Sequence, residues 1–392
     1  MRDAVIVSAV RTPGGKAGKG SFADVRPEYL GKVCIEETLK RTKIDPASID
    51  DVIWGCATPE QHTGMNIGRT SALYAGIPNS VAAVTINRFC SSGLQAIAFG
   101  AEAIISGRCD VVLAGGVEFM SMGGMGGILR PNPDILSTPE IRDVYTLMGQ
   151  TAENVASRYN VSREDQDAFA LQSHKKAAAA VESGRFSDEI VPVEVHRTSL
   201  GADGRRVTKQ WVVSADEGIR ADATMENLAA LRPAFVPKGS VTAGNSSQTT
   251  DGAAAALLME ADRASGAGLE PMGRFVGFSV AGCAPDEMGI GPVFAIPKVL
   301  KQTGLSLSDI GLIELNEAFA SQSLYCIRKL GIDPSIVNVN GGAIAIGHPM
   351  GATGAKLTAT LLREMKRRGV RYGMVTMCIG TGQGAAGIFE LC

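Results

Sequence analysis

The stretch from Leu39 to Ile53 decides the fold, because a matching stretch occurs late in the chain. It reads LKRTKIDPASIDDVI, and the stretch from Leu300 to Ile313 reads LKQTGLSLSDIGLI. The two align without a gap, with Thr303 standing 261 positions after Thr42. Each joins the end of a helix to an apolar strand through a polar turn. A unit used twice predicts two halves of similar fold.

A second match extends the repeat to the next strand. Val84-Thr85-Ile86-Asn87 corresponds to Val337-Asn338-Val339-Asn340, and we expect a strand in both places, each followed by a turn, a helix, a glycine and a further strand. Other segments show the same alternation. The expected strands are Ala4–Val10, Asp51–Gly55, Val84–Asn87 and Asp110–Gly115, and the expected helices run from about Pro27 to Arg41 and from about Cys90 to Ser106. The chain is therefore predicted to be an α/β protein.

The alternation stops between Phe119 and Thr249. A Gly/Met-rich stretch, Met120–Gly127, comes first, and a polar helical segment follows. Ser162 and Asp165 suggest a capping box at the start of an Ala-rich helix that ends near Gly184. An excursion of this size is more typical of a lid or a binding region than of a connector.

Composition limits the classes of function. The chain has 392 residues and a formal net charge of −2, so no global field attracts nucleic acid or an anionic membrane. It has no run of about 18 apolar residues and no secretory signal at its start, which favours a cytoplasmic enzyme. The eight cysteines form no CxxC pair and should be reduced. Anionic ligands must therefore be bound by local clusters.

Cys90 is the first candidate for chemistry. It lies between a strand and a helix with an apolar stripe, in Asn87-Arg88-Phe89-Cys90-Ser91-Ser92-Gly93. The N-terminus of a helix stabilises a thiolate, which is the nucleophilic form of cysteine. The alternative is a buried structural thiol.

A nucleophilic cysteine usually needs a base, and the chain has four histidines. His174 and His196 lie in polar segments and are expected to be solvated, and His62 is a weak candidate in a turn. His348 precedes a second helix, in the counterpart of the Cys90 turn. If a pseudo-two-fold axis relates the halves, the two turns converge at one cleft.

Cys378 and Asn316 are expected at the same rim. Cys378 ends a strand and is followed by glycines that expose backbone N–H groups. Asn316 also follows a strand, where its amide can donate to a developing oxyanion. Zinc binding by Cys90, His348 and Cys378 is disfavoured because no two of them have metal-ligand spacing. The GxGxxG at Gly382–Gly387 lacks the helix and the acidic partner of a dinucleotide site.

These residues together resemble the active-site motifs of the thiolase family. The four motifs are Asn-x-x-Cys-Ser-Ser-Gly-Leu-Gln at Asn87–Gln95, Asn-Glu-Ala-Phe at Asn316–Phe319, Gly-His-Pro-x-Gly-x-Thr-Gly at Gly347–Gly354 and Cys-Ile-Gly-x-Gly at Cys378–Gly382. The resemblance spans nearly the whole chain. It implies a five-layered αβαβα fold with two pseudo-repeated halves, residues 1–118 with 250–268 and residues 269–392, and an inserted loop domain, residues 119–249.

The resemblance also implies roles for these residues. Cys90 would be the acylated nucleophile, His348 the base that activates it, and Cys378 the acid/base at the α-carbon. Asn316, holding a water, would form an oxyanion hole with His348, and the N–H groups of Cys90 and Gly380 would form a second. Coenzyme A would be a co-substrate, with no tightly bound cofactor and no metal. The implied CoA-binding residues are Arg220, Ser247, Met288 and Phe319, although an isolated Arg is usually solvated and Met288 could simply pack.

The motifs look more like degradative 3-ketoacyl-CoA thiolases of fatty-acid β-oxidation than like biosynthetic ones. The alternatives are acetoacetyl-CoA synthesis from two acetyl-CoA, a non-catalytic acyl-CoA-binding scaffold and a cysteine protease, which would leave Cys378 without a role. Relatives are homodimers or homotetramers that pair through the strand before the nucleophile, here Val81–Asn87, and a β-oxidation multienzyme complex is a further assembly. We expect no peroxisomal tripeptide after Cys392.

Overall fold

The computed structural model describes residues 2–123, 130–200 and 202–392. The strands are β1 Ala4–Arg11, β2 Gly15–Lys16, β3 Asp51–Gly55, β4 Ala82–Ile86, β5 Val111–Glu118, β6 Val193–Leu200, β7 Arg206–Val213, β8 Thr250–Glu260, β9 Gly273–Gly282, β10 Ile310–Leu315, β11 Tyr372–Ile379 and β12 Gln383–Glu390. The helices are α1 Pro27–Thr42, α2 Ile67–Tyr74, α3 Ser92–Ile105, α4 Met120–Gly123, α5 Pro133–Ser137, α6 Met148–Arg158, α7 Arg163–Glu182, α8 Met225–Ala229, α9 Ala261–Gly266, α10 Gly291–Thr303, α11 Ala320–Leu330, α12 Ala343–Ile346 and α13 Met350–Arg368.

The two halves repeat the same strand order. The first half runs β4-β3-β5-β8-β1 and the second runs β10-β11-β12-β9. The first half has β4 as an additional edge strand, parallel to β3. From β3 and from β10 inward, both halves have one parallel pair, β3 with β5 and β10 with β11, and then two antiparallel pairs. The halves meet where β1 pairs with β9 through Val5–Arg274 and Ile6–Gly273. The predicted repeat is therefore confirmed at the level of sheet topology.

The layers follow from which faces of the helices are buried. Helices α3 and α13 contact each other, and α13 also contacts β5 and β8 on one side and β10 and β11 on the other. One apolar cluster contains residues of both helices and of both halves of the sheet. Helices α1 and α2 cover the outer face of the first half, and α10 and α11 cover that of the second. The result is the expected five-layered αβαβα arrangement.

The predicted strand at Val337–Asn340 is wrong, since only Val337 forms a bridge there, to Ile313 of β10. The side chain of Asn338 takes the place of the missing backbone partner. Its Oδ1 accepts from the Leu315 N–H at 2.8 Å, and its Nδ2 donates to the Leu315 carbonyl at 2.8 Å. The counterpart strand in the first half is present as β4, which lies at the edge of the sheet.

The loop region contains the helix predicted from Ser162. Helix α7 spans Arg163–Glu182, and the Ser162 hydroxyl accepts from the Asp165 N–H at 3.1 Å. Residues 124–127 of the Gly/Met-rich stretch lie outside the described residues. No helix within the described ranges is long and apolar enough to cross a membrane.

Candidate active site

A strained turn presents the predicted nucleophile. Cys90 lies in a 3-10 turn, Phe89–Ser91, rather than in the first turn of α3, which begins at Ser92. Phe89 has a φ of 43°, a conformation that costs energy for a residue with a bulky side chain. The Asn87 carboxamide oxygen accepts from the Phe89 N–H at 2.8 Å, and the Ser92 hydroxyl accepts from the Arg88 N–H at 2.9 Å. These two side chains brace the turn.

The Cys90 thiol is 8% exposed and packs against Ala57, Met120 and Met350. Burial raises the pKa of Cys90 to about 12, although the N–H groups of Gly380 and of Cys90 itself hydrogen bond to the sulfur and oppose this shift. The backbone donors act in the direction expected of a helix N-terminus, but desolvation outweighs them in the resting protein. Cys90 is a thiol at neutral pH and needs a base.

His348 lies where the chain enters α13 and is 6% exposed. Its backbone N–H donates to the Thr250 hydroxyl at 3.0 Å. Its ring is held on both edges, with Nδ1 2.7 Å from the Thr353 hydroxyl and Nε2 3.4 Å from the Asn316 Nδ2. Burial, together with the charge of Lys356, lowers the pKa of His348 to about 3. The imidazole is therefore neutral and is able to accept a proton.

Lys356 stabilises the His348 turn by hydrogen bonds to its backbone. Its Nζ donates to the carbonyl oxygens of Ile346 and Gly347, each at 2.8 Å. Gly347 has a φ of 84°, which favours glycine at this position. Burial lowers the pKa of Lys356 to about 8, and nearby Asp216 opposes this shift. The lysine thus connects the catalytic turn to a buried ionic cluster.

This ionic cluster is centred on Arg11, which is fully buried. Its guanidinium donates to both Asp216 carboxylate oxygens at 2.7 and 2.9 Å, and to Glu189 at 2.7 Å. Replacing one member of such a buried cluster would leave the others without compensation. The cluster therefore fixes the loop segment around Asp216 against the body of the protein.

The two turns meet because α3 and α13 begin in close contact. A Cβ at Gly354 would lie 2.2 Å from the Leu94 backbone nitrogen, and a Cβ at Gly93 would lie 2.9 Å from that of Ala355. Any larger residue at either position would push the helices apart. This explains the two glycines, and it confirms that the Cys90 and His348 turns converge.

Cys378 and the Asn316 loop complete the group. Asn316 follows β10, and its N–H donates to the carbonyl of Thr376 in β11 at 2.9 Å. Cys378 is fully buried in an apolar cluster with Met288 and Phe319. Burial, followed by the proximity of Cys90, holds the pKa of the Cys378 thiol well above its usual value. Cys378 therefore carries a proton in the resting protein.

The structure brings most of the predicted CoA-binding residues to this group. Met288 and Phe319 pack with Cys378, and the Ser247 N–H donates to the Ala318 carbonyl at 2.9 Å. Arg220 differs from these residues because it is exposed at the surface. Its neighbour Ile219 packs against the apolar cluster that contains Ala345 and Ile346. Arg220 forms no ion pair with another described residue.

The other three histidines have different surroundings. His174, which we expected to be solvated, is 3% exposed, so that prediction is wrong. Its Nδ1 accepts from the Arg220 N–H at 3.2 Å, because the segment carrying Arg220 covers this face of α7. Most of the His196 side chain is exposed, as expected. His62 is half-buried and lies against the Phe119 ring, with 5.9 Å between ring centroids.

Glu118 is a residue of this site that the sequence reasoning missed. It is fully buried at the end of β5. One carboxylate oxygen accepts from the N–H groups of Ala57 at 2.8 Å and Gly351 at 2.7 Å, and the other accepts from Thr58. It thereby joins the loop beneath Cys90 to the start of α13. A signal was present in the sequence, since Glu118 is the acidic last residue of an otherwise apolar strand.

Within the described residues, no group of three or more His, Cys, Asp or Glu side chains could hold a metal ion. Of the GxGxxG glycines, Gly382 directly precedes β12, and Gly384 and Gly387 lie in it; β12 pairs with β11 as an antiparallel hairpin. A dinucleotide fingerprint requires a strand followed by a helix, so the rejection of that motif is confirmed.

Comparisons with known proteins agree with this geometry. Residues 4–262 match the family description "Thiolase, N-terminal domain", and residues 269–391 match "Thiolase, C-terminal domain". The chain is 57% identical to the 3-ketoacyl-CoA thiolase of Bacillus subtilis (strain 168) over 393 residues, covering 100% of each chain. It is 47% identical to the peroxisomal 3-ketoacyl-CoA thiolase A of Mus musculus, covering 99% of this chain and 91% of the relative.

Two solved structures share the fold. The acetyl-CoA acetyltransferase of Bacillus anthracis superposes with a TM-score of 0.89 at 42% identity, covering 100% of this chain and 99% of the other. Human mitochondrial 3-ketoacyl-CoA thiolase superposes with a TM-score of 0.89 at 38% identity and the same coverage. On this evidence the chain belongs to the thiolase family and is an acyltransferase.

Proposed function

We propose that this protein cleaves 3-ketoacyl-CoA with CoA to give acetyl-CoA and an acyl-CoA shortened by two carbons, in fatty-acid β-oxidation. One observation carries the proposal. A buried thiol, Cys90, lies with a neutral imidazole, an amide and a second thiol where the two halves meet. That set supplies an acyl acceptor, a base, an oxyanion donor and a proton donor.

In the first step His348 removes the Cys90 proton, and the sulfur attacks the C3 carbonyl carbon of the substrate. The N–H groups of Cys90 and Gly380, which already hydrogen bond to the sulfur, are near enough to stabilise the oxyanion that forms. Cys90 is then a strong nucleophile because its thiolate is desolvated.

In the second step the bond between C2 and C3 breaks, leaving the acyl group on Cys90 and an enolate of acetyl-CoA. Asn316 and His348 are placed to stabilise the enolate oxygen. Cys378 gives its proton to C2, and acetyl-CoA leaves. The buried, protonated state of Cys378 supports its role as this acid.

In the third step the thiol of a second CoA attacks the acyl-Cys90 thioester, and its proton replaces the one that Cys378 gave up. His348 returns the proton that it took in the first step to the departing Cys90 sulfur, so the products are acyl-CoA and the regenerated Cys90 thiol. CoA is a co-substrate, and the proposal needs no tightly bound cofactor or metal. Cysteine suits this exchange because thioester replaces thioester, which keeps the acyl group activated.

CoA is proposed to lie along the loop domain. Ser247, Met288 and Phe319 would contact the end near the thiol, and the exposed Arg220 would bind phosphate. The inserted domain is proposed to span residues 119–249, between a first half of 1–118 with 250–268 and a second half of 269–392.

Assembly and compartment are part of the same proposal. We propose a cytoplasmic homodimer or homotetramer that pairs through β4. The support is that β4 ends the sheet and that Val84 within it is 42% exposed. An open strand edge of this kind readily pairs with a second copy.

A thiolysis assay tests the function. Purified protein is mixed with CoA and 3-ketoacyl-CoA substrates from acetoacetyl-CoA upwards, and loss of the 3-ketoacyl absorbance is followed. Turnover of substrates longer than acetoacetyl-CoA supports the proposal. Turnover of acetoacetyl-CoA alone would favour the acetyl-condensing alternative, to which the Bacillus anthracis acetyltransferase likeness points. Binding without turnover would contradict enzymatic function.

A further inference from the structure

We infer that Thr353 is a positioning residue that fixes which nitrogen of His348 carries the proton. The geometry points to Nδ1 as the protonated nitrogen and to Nε2 as the free base. The functional part of this inference rests on the proposed acylation of Cys90, whereas the tautomer itself does not.

The Thr353 hydroxyl has one hydrogen and two neighbours that could accept it. The hydroxyl oxygen lies 3.0 Å from the Pro349 carbonyl, one turn earlier, and 2.7 Å from His348 Nδ1. When the hydrogen goes to Pro349, only a lone pair of the oxygen faces Nδ1. Nδ1 must then carry the proton and donate it to Thr353.

The other edge of the ring gives the same answer. Nε2 lies 3.4 Å from the Asn316 Nδ2, which can only donate. If Nε2 were protonated, its N–H would face the N–H of the Asn316 amide, and two donors would point at each other. Only a reversed Asn316 amide would avoid this. Turning it would bury an NH₂ group with no acceptor, which costs more than the unpartnered Oδ1 of the present orientation.

The surroundings make one fixed tautomer possible. Thr353 is 1% exposed and His348 is 6% exposed, so water does not compete for either edge. The charge of Lys356 disfavours imidazolium, so a single neutral tautomer persists. A histidine with a free Nε2 is ready to accept a proton, whereas the other tautomer would have no lone pair at Nε2 for the proton transfer in the proposed acylation of Cys90.

The test is ¹⁵N NMR of protein labelled at histidine, without substrate. The chain has four histidines, and His348→Asn identifies the His348 signals by their loss. We expect the shifts and couplings of an Nδ1–H tautomer in the wild type and in Thr353→Ser. In Thr353→Val, which keeps the shape but lacks the hydroxyl, we expect a mixture that contains the Nε2–H tautomer.

Kinetics form the second readout. Thr353→Val should slow acetylation of Cys90 at saturating acetyl-CoA by about 10- to 100-fold with little change in KM, and Thr353→Ser should restore most of the rate. An Nε2–H tautomer in the wild type, or an unchanged tautomer and rate in Thr353→Val, would overturn the inference. An Nδ1–H tautomer in a protein that performs no thiolysis would instead overturn the proposed function and leave the tautomer assignment standing.

Discussion

The nucleophile turn, Asn87–Ser92, and the base turn, Gly347–Thr353, occupy related places in the two halves but hold their central residues differently. Each leads into a helix of the central layer. The Cys90 sulfur accepts hydrogen bonds from backbone N–H groups, whereas the His348 ring contacts the side chains of Thr353 and Asn316. The nucleophile turn itself, Asn87–Ser92, contains no histidine or carboxylate that could serve as the base for the thiol.

The difference shows how one repeated unit provides two chemical functions. Burial keeps Cys90 protonated, and burial with a nearby lysine keeps His348 neutral. Neither group is activated alone, but a neutral base and a protonated thiol on converging turns are the pair that the proposed proton transfer needs. Activity should thus depend on contacts that join the two halves.

The largest effect is expected from Cys90→Ala, because no other described thiol occupies the nucleophile turn. Thiolysis should fall by about four or more orders of magnitude, as for other enzymes that lose a covalent nucleophile. Steady-state assays measure this. Cys34→Ala, which removes a buried thiol elsewhere, is the control and should retain activity. Residual thiolysis near the wild-type rate would show that the acyl group is carried elsewhere.

Glu118→Gln tests the contact that joins the Ala57 loop, against which Cys90 packs, to the base turn. Each Glu118 oxygen accepts at least two hydrogen bonds, so an amide loses acceptors whichever way it is turned. The free energy of unfolding should drop by about 1–3 kcal/mol and kcat should fall with it. Urea denaturation and thiolysis assays report both quantities.

The matched control for Glu118 is Glu102→Gln, which changes an exposed carboxylate on α3. It should alter neither stability nor kcat. If Glu118→Gln behaves like this control, Glu118 does not couple the Ala57 loop to the base turn.

Lys356→Met tests the electrostatics of the base turn. Removing the cation should raise the pKa of His348, so the base becomes protonated at a higher pH. The acid limb of kcat/KM should therefore move to higher pH. Arg11, Asp216, Glu189 and Glu314 are the other charged or titratable side chains that act on Lys356, and the substitution leaves all four in place.

The control for Lys356 is Lys366→Met, which removes an exposed lysine from the same helix. Its pH profile should match that of the wild type. An acid limb that stays in place in Lys356→Met, or moves to lower pH, would contradict the proposed electrostatic role.

The smallest effect is expected from Arg220→Ala, because this side chain lies outside the buried group. CoA binding should weaken by about tenfold and become less sensitive to salt, while kcat at saturation changes little. Titration calorimetry at two salt concentrations measures both changes. Arg205→Ala, at a highly exposed hairpin position, is the control. Equal CoA affinity in both variants would remove Arg220 from the binding site.

Much of the fold was predictable because the repeat is local in sequence. The 3-10 turns Pro46–Ser48 and Leu307–Asp309 stand at the same 261-residue offset as Thr42 and Thr303. The segment Val337–Asn340 was mispredicted because its alternating Val and Asn resemble a strand. Nothing in that pattern indicates that the Asn338 side chain would replace a backbone partner.

The candidate site was predictable where its residues lie in recognisable motifs, and not where tertiary contacts decide. Cys90, His348, Asn316 and Cys378 each stand at a strand or helix end. Their charge states do not follow from the sequence, since the high pKa of Cys90 and the low pKa of His348 come from burial. Glu118 acts on Gly351, 233 positions away, which no local pattern reveals.

The central claim is that the base of one half activates the thiol of the other, and acetylation of Cys90 by acetyl-CoA tests it most directly. Rapid quenching and peptide mass mapping follow acetyl-Cys90 in His348→Ala, Cys378→Ala and the wild type. Cys378→Ala should acetylate at close to the wild-type rate, since acetyl transfer needs no proton exchange at C2. His348→Ala should be slower by about two or more orders of magnitude. Equal acetylation rates in the two variants, or acetyl on a different cysteine, would contradict the account.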